Sequence, residues 1–302
     1  MELRQLQALI AIADHGSFSA AAAALHTVQS NVSSHIARLE RELGVQLVDR
    51  QGGRLTEEGG AVLERARRVA AEIEAAVADV ASFRDEISGT ARIGMIGTTA
   101  RWLAPLLLDQ MASIHPQVRL LIGDGTSATL EPLLVAGSID AAVVNLPHGS
   151  PDLTDRPLFD EDLVLVVPDG HPLADRDCVT MKELGTIRLL LPAPGTSFRK
   201  EIDQAAQAAG VTLTPRAELD GVRLIASLTL RGFGPAILPA TGAAESRGFH
   251  HIRVIGLPRR TVGLTLRRRG RPSAPARAML EVLDRVVATN LDPENGLHPP
   301  SL

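Results

Sequence analysis

Residues 16–44, GSFSAAAAALHTVQSNVSSHIARLERELG, predict two short helices joined by a tight turn. In the second helix the apolar residues follow one another at steps of four, four, three and four, so they form one narrow stripe. The stripe consists of Val28, Val32, Ile36, Leu39 and Leu43. The opposite face points outward and carries Ser30, Asn31, Ser33, Ser34, Arg38 and Arg41. Short polar groups allow close approach to base edges, and arginines suit phosphates.

The helix before it is short and rich in alanine. Ser17 is placed to cap its first turn. Its slim apolar face consists of Phe18, Ala21, Ala22 and Leu25. Such a helix, a turn at His26 and Thr27 and a longer amphipathic helix match the helix-turn-helix arrangement, whose second helix lies in the major groove of DNA. Spacing alone leaves open an ordinary helical hairpin in a protein core, because consecutive amphipathic helices are common.

The segment from Met1 to about Leu63 resembles the N-terminal DNA-binding domain of LysR-type transcriptional regulators. The resemblance rests on Leu3, Leu6, the GSF at 16–18, Ala21, Ala22, Leu25, His26, Gln29, Ser33, Ile36, Leu39, Glu40, Leu43, Gly44, Leu47, Arg50, Leu55, Thr56 and Gly59. It implies a winged helix-turn-helix that binds double-stranded DNA. The expected DNA-contacting residues are Gln29, Ser30, Asn31, Ser33, Ser34, Arg38, Arg41, Arg50 and Arg54.

Two departures from the family pattern concern the recognition helix and the wing. The helix opens with VQSNV at 28–32 in place of the commoner serine-glutamine-proline, which indicates a subgroup with its own operator preference. Only residues 51–54 separate Arg50 from Leu55, which is a shorter wing than usual. We therefore favour phosphate contacts over minor-groove insertion for Arg50 and Arg54, while pairing of Arg50 with a nearby acid stays open.

The charge of this region is unusual for a DNA-binding head. Residues 1–54 contain five arginines and five acids, so the head is neutral overall, whereas strong non-specific DNA binders are basic. We expect modest non-specific affinity. Specific binding then requires base contacts and more than one head in each complex.

The following segment predicts a long helix that pairs with a second helix. Thr56 is a good N-cap, and no proline occurs between it and Pro105. Apolar or small residues recur at alternating steps of three and four, as in a heptad repeat. They are Gly59, Val62, Ala66, Val69, Ile73, Ala76, Val80, Phe83 and Ile87. The simplest partner is the same helix of a second subunit, and packing against the chain's own body is the alternative.

After Gly89, short apolar runs alternate with helical stretches, which is typical of an α/β domain. The runs are ARIGMIG, VRLLIG, IDAAVVN, LVLVVP, IRLLLP and AILP, and the helices are expected at roughly 101–114, 128–136, 198–209 and 222–231. We expect mostly parallel sheets, whose ligands bind at the carboxyl ends of the strands, near helix N-termini.

This part is similar to the effector domain of the same family. The matching stretches are Asp124 to Thr126, Gly137 to Ala142, His171 to Ala174, and Gly232 to Gly234 followed by Leu238 and Pro239. The resemblance implies two α/β lobes with the fold of periplasmic binding proteins and an effector cleft between them. The whole chain is then α+β, with a DNA-binding domain at 1–58, a linker helix at 59–88, lobe I at about 90–161 plus 267–290, lobe II at about 162–266, and a disordered tail at 293–302.

Polar residues that directly follow strands are the candidates for effector contacts. They are Thr98, Thr99, Thr126, Ser127, Asn145, Thr196, Ser197 and Phe198. Helix capping is the alternative for the serines and threonines, and capping does not exclude ligand contact. Hydroxyls at helix N-termini favour a carboxylate or a similar anion, while Trp102 and Phe198 favour an apolar body.

Other chemistry has little support in the sequence. One cysteine, Cys178, excludes an intrachain disulfide, and the only adjacent histidines, His250 and His251, point apart on a strand. We expect no metal site, no cofactor and no enzymatic activity, and we interpret the acidic run 160–162 as solvated. The arginines between 253 and 271 form one basic concentration, that is, a stretch rich in positive charge. We expect them to pair with acidic runs of the same lobe or to bind an acidic partner surface.

The sequence of 302 residues, with a net charge of −4, predicts a cytoplasmic transcription regulator without a membrane-spanning segment. The family resemblance implies homodimers that assemble to tetramers and place paired heads on a pseudo-palindromic operator, while a small-molecule effector alters DNA bending or contact with RNA polymerase. The alternative from another class is an enzyme or small-molecule carrier with a binding-protein fold, whose N-terminal helices serve only assembly.

Overall fold

The computed structural model describes residues 1–49, 53–83, 87–147, 149–243 and 248–301. The first three helices form the N-terminal head. They are α1 (Leu3–His15), α2 (Phe18–Ala24) and α3 (Gln29–Leu43). Gly16 adopts a left-handed conformation with φ +74° that ends α1, and the Ser17 hydroxyl accepts a hydrogen bond from the Ala20 amide at 3.2 Å, which starts α2.

Helix α3 buries a shorter stripe than its spacing predicts. Val32, Ile36 and Leu39 are buried against α1 and α2. Val28 is 60% exposed and Leu43 is 41% exposed. Val28 is the N-cap residue and Leu43 ends the last turn, so neither lies over the small head core. The core contact is thus confined to the middle of the recognition helix.

The wing is a short hairpin fastened to α3. Val48 and Leu55 form an antiparallel bridge, and the Asp49 amide donates to the Arg54 carbonyl at 2.8 Å. The Glu40 carboxylate accepts hydrogen bonds from the amides of Leu47 at 2.9 Å and Val48 at 3.2 Å. Glu40 therefore fixes the wing relative to the recognition helix. Arg50, expected to contact DNA, lies outside the described residues.

The linker helix α4 spans Glu57–Ser82 and begins at Thr56, whose hydroxyl accepts from the Gly59 amide at 3.0 Å. A Cβ atom on Gly59 would lie 2.1 Å from the Leu47 carbonyl oxygen. Only glycine permits this approach, so Gly59 sets how closely the linker packs against the wing. Farther along, Ala66 is buried in the head core and Arg67 pairs with Asp14 of α1.

Lobe I is a six-stranded mixed sheet in the order β12-β4-β11-β3-β1-β2. Its strands are β1 (Gly89–Ile96), β2 (Val118–Gly125), β3 (Ala141–Asn145), β4 (Leu153–Glu161), β11 (Arg260–Arg267) and β12 (Leu297–His298). Its helices are α5 (Gly97–Ile114), α6 (Ser127–Val135) and α11 (Ala274–Asn290). Strand β1 pairs in parallel with β2 and β3, whereas β11 runs antiparallel to β3 and β4.

Lobe II contains the second six-stranded sheet, in the order β6-β10-β5-β9-β7-β8. Its strands are β5 (Leu163–Pro168), β6 (Cys178–Thr180), β7 (Arg188–Pro192), β8 (Thr214–Leu219), β9 (Ala236–Pro239) and β10 (Phe249–Ile255). Its helices are α7 (Met181–Leu184), α8 (Ser197–Ala208), α9 (Val222–Thr229) and α10 (Ala240–Ala243). The crossover helices expected from the apolar alternation are all present as α5, α6, α8 and α9.

The structure corrects three expectations about this region. The sheets are not mostly parallel, because the strands that cross between the lobes return in the opposite direction. Strand β11 belongs to lobe I along its whole length, so lobe II ends before residue 260 and not at 266. The tail is folded: Pro293–Asn295 form a 3-10 turn, β12 pairs with β4, and Leu297 is buried.

The tail is held by polar contacts as well as by apolar burial. The amide and hydroxyl of Ser301 donate to one Asp160 carboxylate oxygen at 2.8 and 2.6 Å, and His298 lies 2.9 Å from an Asp162 oxygen. Its prolines and glycine predicted disorder, but they shape a turn that returns the chain to the strand edge. Within the described chain, no helix combines the length and the apolar character that crossing a bilayer requires.

Candidate functional site

The outward face of α3 is a row of exposed polar side chains. The exposed residues are Gln29, Ser30, Asn31, Ser33, Ser34, Arg38 and Arg41, and Arg54 of the wing is exposed as well. The Asn31 side-chain amide donates to the Thr27 hydroxyl at 2.9 Å, and the Ser19 hydroxyl donates to Gln29 at 3.3 Å. These weak, exposed bonds exchange readily for bonds to bases or phosphates.

The acids of the head are engaged by other groups of the chain. Glu40 holds the wing amides, and Asp14 pairs with Arg67. Glu42 pairs with the N-terminal amine, which lowers the pKa of its carboxyl group together with a hydrogen bond from Gln5. Glu2 lies 3.8 Å from Arg38, a loose contact between two half-exposed side chains. A neutral head thus still presents arginines and hydroxyls on the α3 face.

The second exposed surface lies on the far half of α4. We call it the linker strip, and it consists of Val69, Ile73, Val77, Val80 and Phe83. Val80 is 64% exposed and Phe83 is 88% exposed. Gly59 and Ala66, the first members of the heptad repeat, are buried in the head instead. The helix therefore packs on its own body at its start and leaves its later apolar residues open.

Other residues of α4 are held against lobe I by polar contacts. Glu74 pairs with Arg92 at 2.8 Å, and the Asp79 carboxylate accepts from the Ala274 amide at 2.8 Å and lies 3.3 Å from Arg277. These contacts border a groove of about 350 Å³ between the linker and the lobe. These contacts join lobe I to the linker helix.

The space between the lobes contains a buried ion pair formed by the two crossing segments. Glu161 ends β4 and is fully buried; Arg260 begins β11 and its side chain is 9% exposed. The Arg260 Nε donates to Glu161 at 2.6 Å. The other Glu161 oxygen accepts from the Thr241 amide at 3.2 Å and its hydroxyl at 2.8 Å. Every carboxylate oxygen of Glu161 is thus satisfied, as burial of a charge requires.

Two of the predicted effector residues meet at Arg260. Its Nη2 lies 3.3 Å from the Thr98 hydroxyl on lobe I, and its guanidinium lies 5.8 Å from the centre of the Phe198 ring on lobe II. Thr98 also touches Gly242 of lobe II, where a Cβ atom would come within 2.9 Å of its methyl group. The structure therefore brings Thr98 and Phe198 together across the cleft, through a residue that the sequence analysis placed in the basic concentration but not among the effector contacts.

Other predicted residues have different surroundings. Thr99 is fully buried, and neither its hydroxyl nor the side-chain oxygen of Asn145 has a hydrogen-bond partner in the described part of the chain. Thr126 and Thr196 cap α6 and α8, accepting from backbone amides at 3.3 and 3.2 Å. Ser127 is half-buried and Ser197 is exposed. Whether these residues contact an effector stays a prediction.

The interpretation of residues 160–162 as a solvated run was wrong. Glu161 is buried because β4 and β11 place it directly opposite Arg260 in the sheet register. Asp162 pairs with Arg259 at 2.7 Å, so arginines of the basic concentration form ion pairs with the acidic run, as expected. The sequence contained a signal for this pair. Glu161 and Arg260 each stand where an apolar run meets a segment that crosses between the lobes.

The lobes also touch at the rim of the cleft. Arg223, at the start of α9 in lobe II, pairs with Asp124 at the end of β2 in lobe I. Its aliphatic stem lies over Gly97, where a Cβ atom would come within 2.8 Å of it. The structure therefore shows the lobes in contact. Among the residues described, no group of three or more histidines, cysteines and acids is arranged to hold a metal ion.

Comparison with known proteins agrees with this architecture. Residues 3–60 match the family described as "Bacterial regulatory helix-turn-helix protein, lysR family", and residues 84–288 match "LysR substrate binding domain". The chain is 29% identical over 299 residues to the DNA-binding transcriptional dual regulator OxyR of Escherichia coli, covering 97% of this chain and 96% of OxyR.

Two solved structures resemble the full length of the chain. A full-length cysteine variant of OxyR from Pseudomonas aeruginosa has a TM-score of 0.74 and 25% identity, covering 95% of this chain and 94% of that one. Full-length CbnR complexed with its target DNA has a TM-score of 0.72 and 25% identity, covering 96% and 99%. With both domains matched in order and the α3 face and the cleft in place, the chain belongs to the LysR family of DNA-binding transcriptional regulators with an effector-binding domain.

Proposed function

We propose that the chain acts as a dimer or tetramer that binds a pseudo-palindromic operator and responds to a small-molecule effector held between its lobes. The observation that carries the proposal is the α3 face, where hydroxyls, amides and arginines are exposed while Glu40, Glu42 and Asp14 are engaged elsewhere. The face fits the major groove, with Ser30, Asn31, Ser33 and Ser34 at base edges and Arg38 and Arg41 at phosphates.

The effector is proposed to act by changing the angle between the lobes. Lobe I is joined to the linker by Glu74 and Asp79. The two lobes meet where Arg260 lies over the Phe198 ring and where Arg223 pairs with Asp124. An effector that prefers one lobe arrangement shifts the population toward it and so changes the spacing of the heads. The proposed consequence is altered DNA bending or altered contact with RNA polymerase. As part of the same proposal, the protein is cytoplasmic and has no enzymatic activity.

The test is footprinting of the purified protein on DNA immediately upstream of its own gene, across a salt series and without added effector. We expect two protected half-sites whose protection weakens as salt rises, because the phosphate contacts release counterions. Uniform or absent protection at low salt would contradict the proposal and return the enzyme or carrier alternative to first place.

Dimerisation through the linker strip is expected to fail in Val80→Glu. The glutamate places a charge within the strip, and each copy brings the same charge to the interface. We expect monomers by light scattering and a loss of operator protection, since one neutral head binds weakly. The matched control is Ala61→Glu, which adds the same charge at an exposed position of α4 outside the repeat. A V80E protein that stays dimeric would exclude the strip as the interface.

Several relatives are named hydrogen peroxide-inducible genes activators, and we propose that this chain does not respond to hydrogen peroxide through an intrachain disulfide. It contains one cysteine, Cys178, at the start of edge strand β6. We expect hydrogen peroxide to leave the operator footprint unchanged in wild type and in Cys178→Ser alike. A peroxide-dependent footprint that disappears in C178S would instead show that this single thiol is the sensor, acting within or between subunits.

A further inference from the structure

The effector cleft contains an acidic side chain that the sequence did not single out, Glu201 of α8. Glu201 lies three residues after Phe198, so the two side chains share one face of the helix. That face meets Arg260, whose guanidinium lies over the Phe198 ring. Glu201 is therefore next to the buried Glu161–Arg260 pair, in the space between the lobes.

The charges in this space do not balance. The charge of Arg260 is neutralised by Glu161, one oxygen of which lies 2.5 Å from its Nη2. The other Glu161 oxygen accepts hydrogen bonds from Thr241. Glu201 is half-buried and has neither a hydrogen bond nor an ion pair in the part of the chain that the structure describes. Burial raises the pKa of Glu201, Arg260 opposes the rise and Glu161 adds to it. A carboxylate kept here without a counter-ion costs stability.

Hydrogen-bonding groups for an anion lie at the neighbouring edge of the lobe I sheet. The Nη1 of Arg260 makes no hydrogen bond among the described residues, and the buried Thr99 hydroxyl has no partner there either. Thr99 lies in the first turn of α5, where the backbone amides have no acceptor within the helix. The groups that could bind an anion therefore belong to lobe I, whereas the Glu201 carboxylate belongs to lobe II.

We propose that the effector is a small amphoteric molecule of the amino acid type, with its carboxylate at Arg260 and the start of α5 and its protonated amine at Glu201. This rests on the proposed function, an effector held in this cleft. A plain carboxylate would be a third negative group beside one guanidinium, whereas an amine supplies the missing cation. A ligand that contacts Thr98 and Thr99 on one lobe and Glu201 on the other also favours lobe closure.

The first experiment measures thermal unfolding and Trp102 fluorescence of the full-length protein with each proteinogenic amino acid, with its 2-hydroxy acid and with its decarboxylated amine. Trp102 lies one turn after Thr98 and is the only tryptophan. We expect at least one amino acid to bind about tenfold more tightly than both of its analogues. Equal binding of the hydroxy acid, binding of the amine alone, or no response to any amino acid would overturn the proposal.

The second experiment compares Glu201→Gln with the matched variant Glu281→Gln, which removes the same charge from an exposed position of α11. We expect E201Q to bind the amino acid and its hydroxy acid equally, and E281Q to behave as wild type. E201Q should also unfold at a higher temperature than wild type near about pH 8 but not near about pH 4, because the raised pKa makes stability fall as Glu201 ionises.

These outcomes separate the two proposals. Retained amino acid preference in E201Q would show that Glu201 is not the amine receptor. Operator footprinting without effector is measured independently, so failure of the amino acid panel leaves the regulator assignment intact. A protein that binds an amino acid but protects no operator would contradict the proposed function alone.

Discussion

Replacing Ser34 by glutamate is expected to abolish specific operator binding while leaving the fold intact. Ser34 is exposed in the middle of the α3 face, away from the buried Val32, Ile36 and Leu39. The substitution removes a hydroxyl that fits a base edge and adds a negative charge among phosphates. We expect affinity for the operator to fall by about 100-fold or more.

Fluorescence anisotropy with operator DNA at fixed salt measures this loss. Circular dichroism and light scattering on S34E should match wild type, because the side chain has no core contact. The control is Gln207→Glu, which adds the same charge at an exposed position of α8 far along the chain from the head. If S34E bound operator as tightly as Gln207→Glu and wild type, the α3 face would not be the DNA-binding surface.

Replacing Glu161 by alanine is expected to destabilise the effector domain strongly. The substitution removes the direct ion-pair partner of the buried Arg260 guanidinium, since Thr98 and Phe198 offer only a hydroxyl and a ring face and Glu201 makes no ion pair with it. Loss of one partner from a buried ion pair costs about 3–5 kcal/mol. The Thr241 amide and hydroxyl lose their acceptor as well.

Urea unfolding followed by Trp102 fluorescence measures the effect. Trp102 packs edge-on against Phe159 with ring centres 5.3 Å apart, so its emission reports the loss of lobe I packing. The double variant E161A/R260A should recover much of the lost stability, because it removes the unpaired charge. Equal destabilisation by the single and double variants would show that the ion pair itself is not the source.

The linker helix shows how far sequence periodicity reaches. The three-and-four spacing predicted a long helix from about Thr56 and an apolar repeat along it to Ile87. Helix α4 begins where expected but ends at Ser82, so Phe83 and Ile87 lie beyond it. Periodicity did not show that the Ala66 side chain is buried in the head core while the Val80 side chain is exposed. That division depends on where α1 and lobe I lie, which is set by contacts between residues distant in sequence, such as Arg67 with Asp14 and Asp79 with Ala274.

The effector cleft shows the opposite balance. Strand-end positions predicted Thr98 and Phe198 as neighbours of a cleft, because polar or bulky residues after buried strands face the carboxyl edge of a sheet. Arg260 and Glu161 were missed since their pairing needs the register between β4 and β11, which are separated by the whole of lobe II. Glu201 was missed because its role depends on lying next to the Glu161–Arg260 pair, and the sequence does not show that these three residues are neighbours.

By itself, the sequence determined the family, the helix-turn-helix, the linker helix, the α/β alternation and the outward face of α3, since each follows from residue spacing within a few turns or strands. The tertiary structure alone decided that β11 and the tail join lobe I, that the acidic run is buried and that the cleft contains two carboxylates against one guanidinium. Local spacing fixes which face of an element is apolar, whereas burial and pairing of charges depend on which distant elements meet.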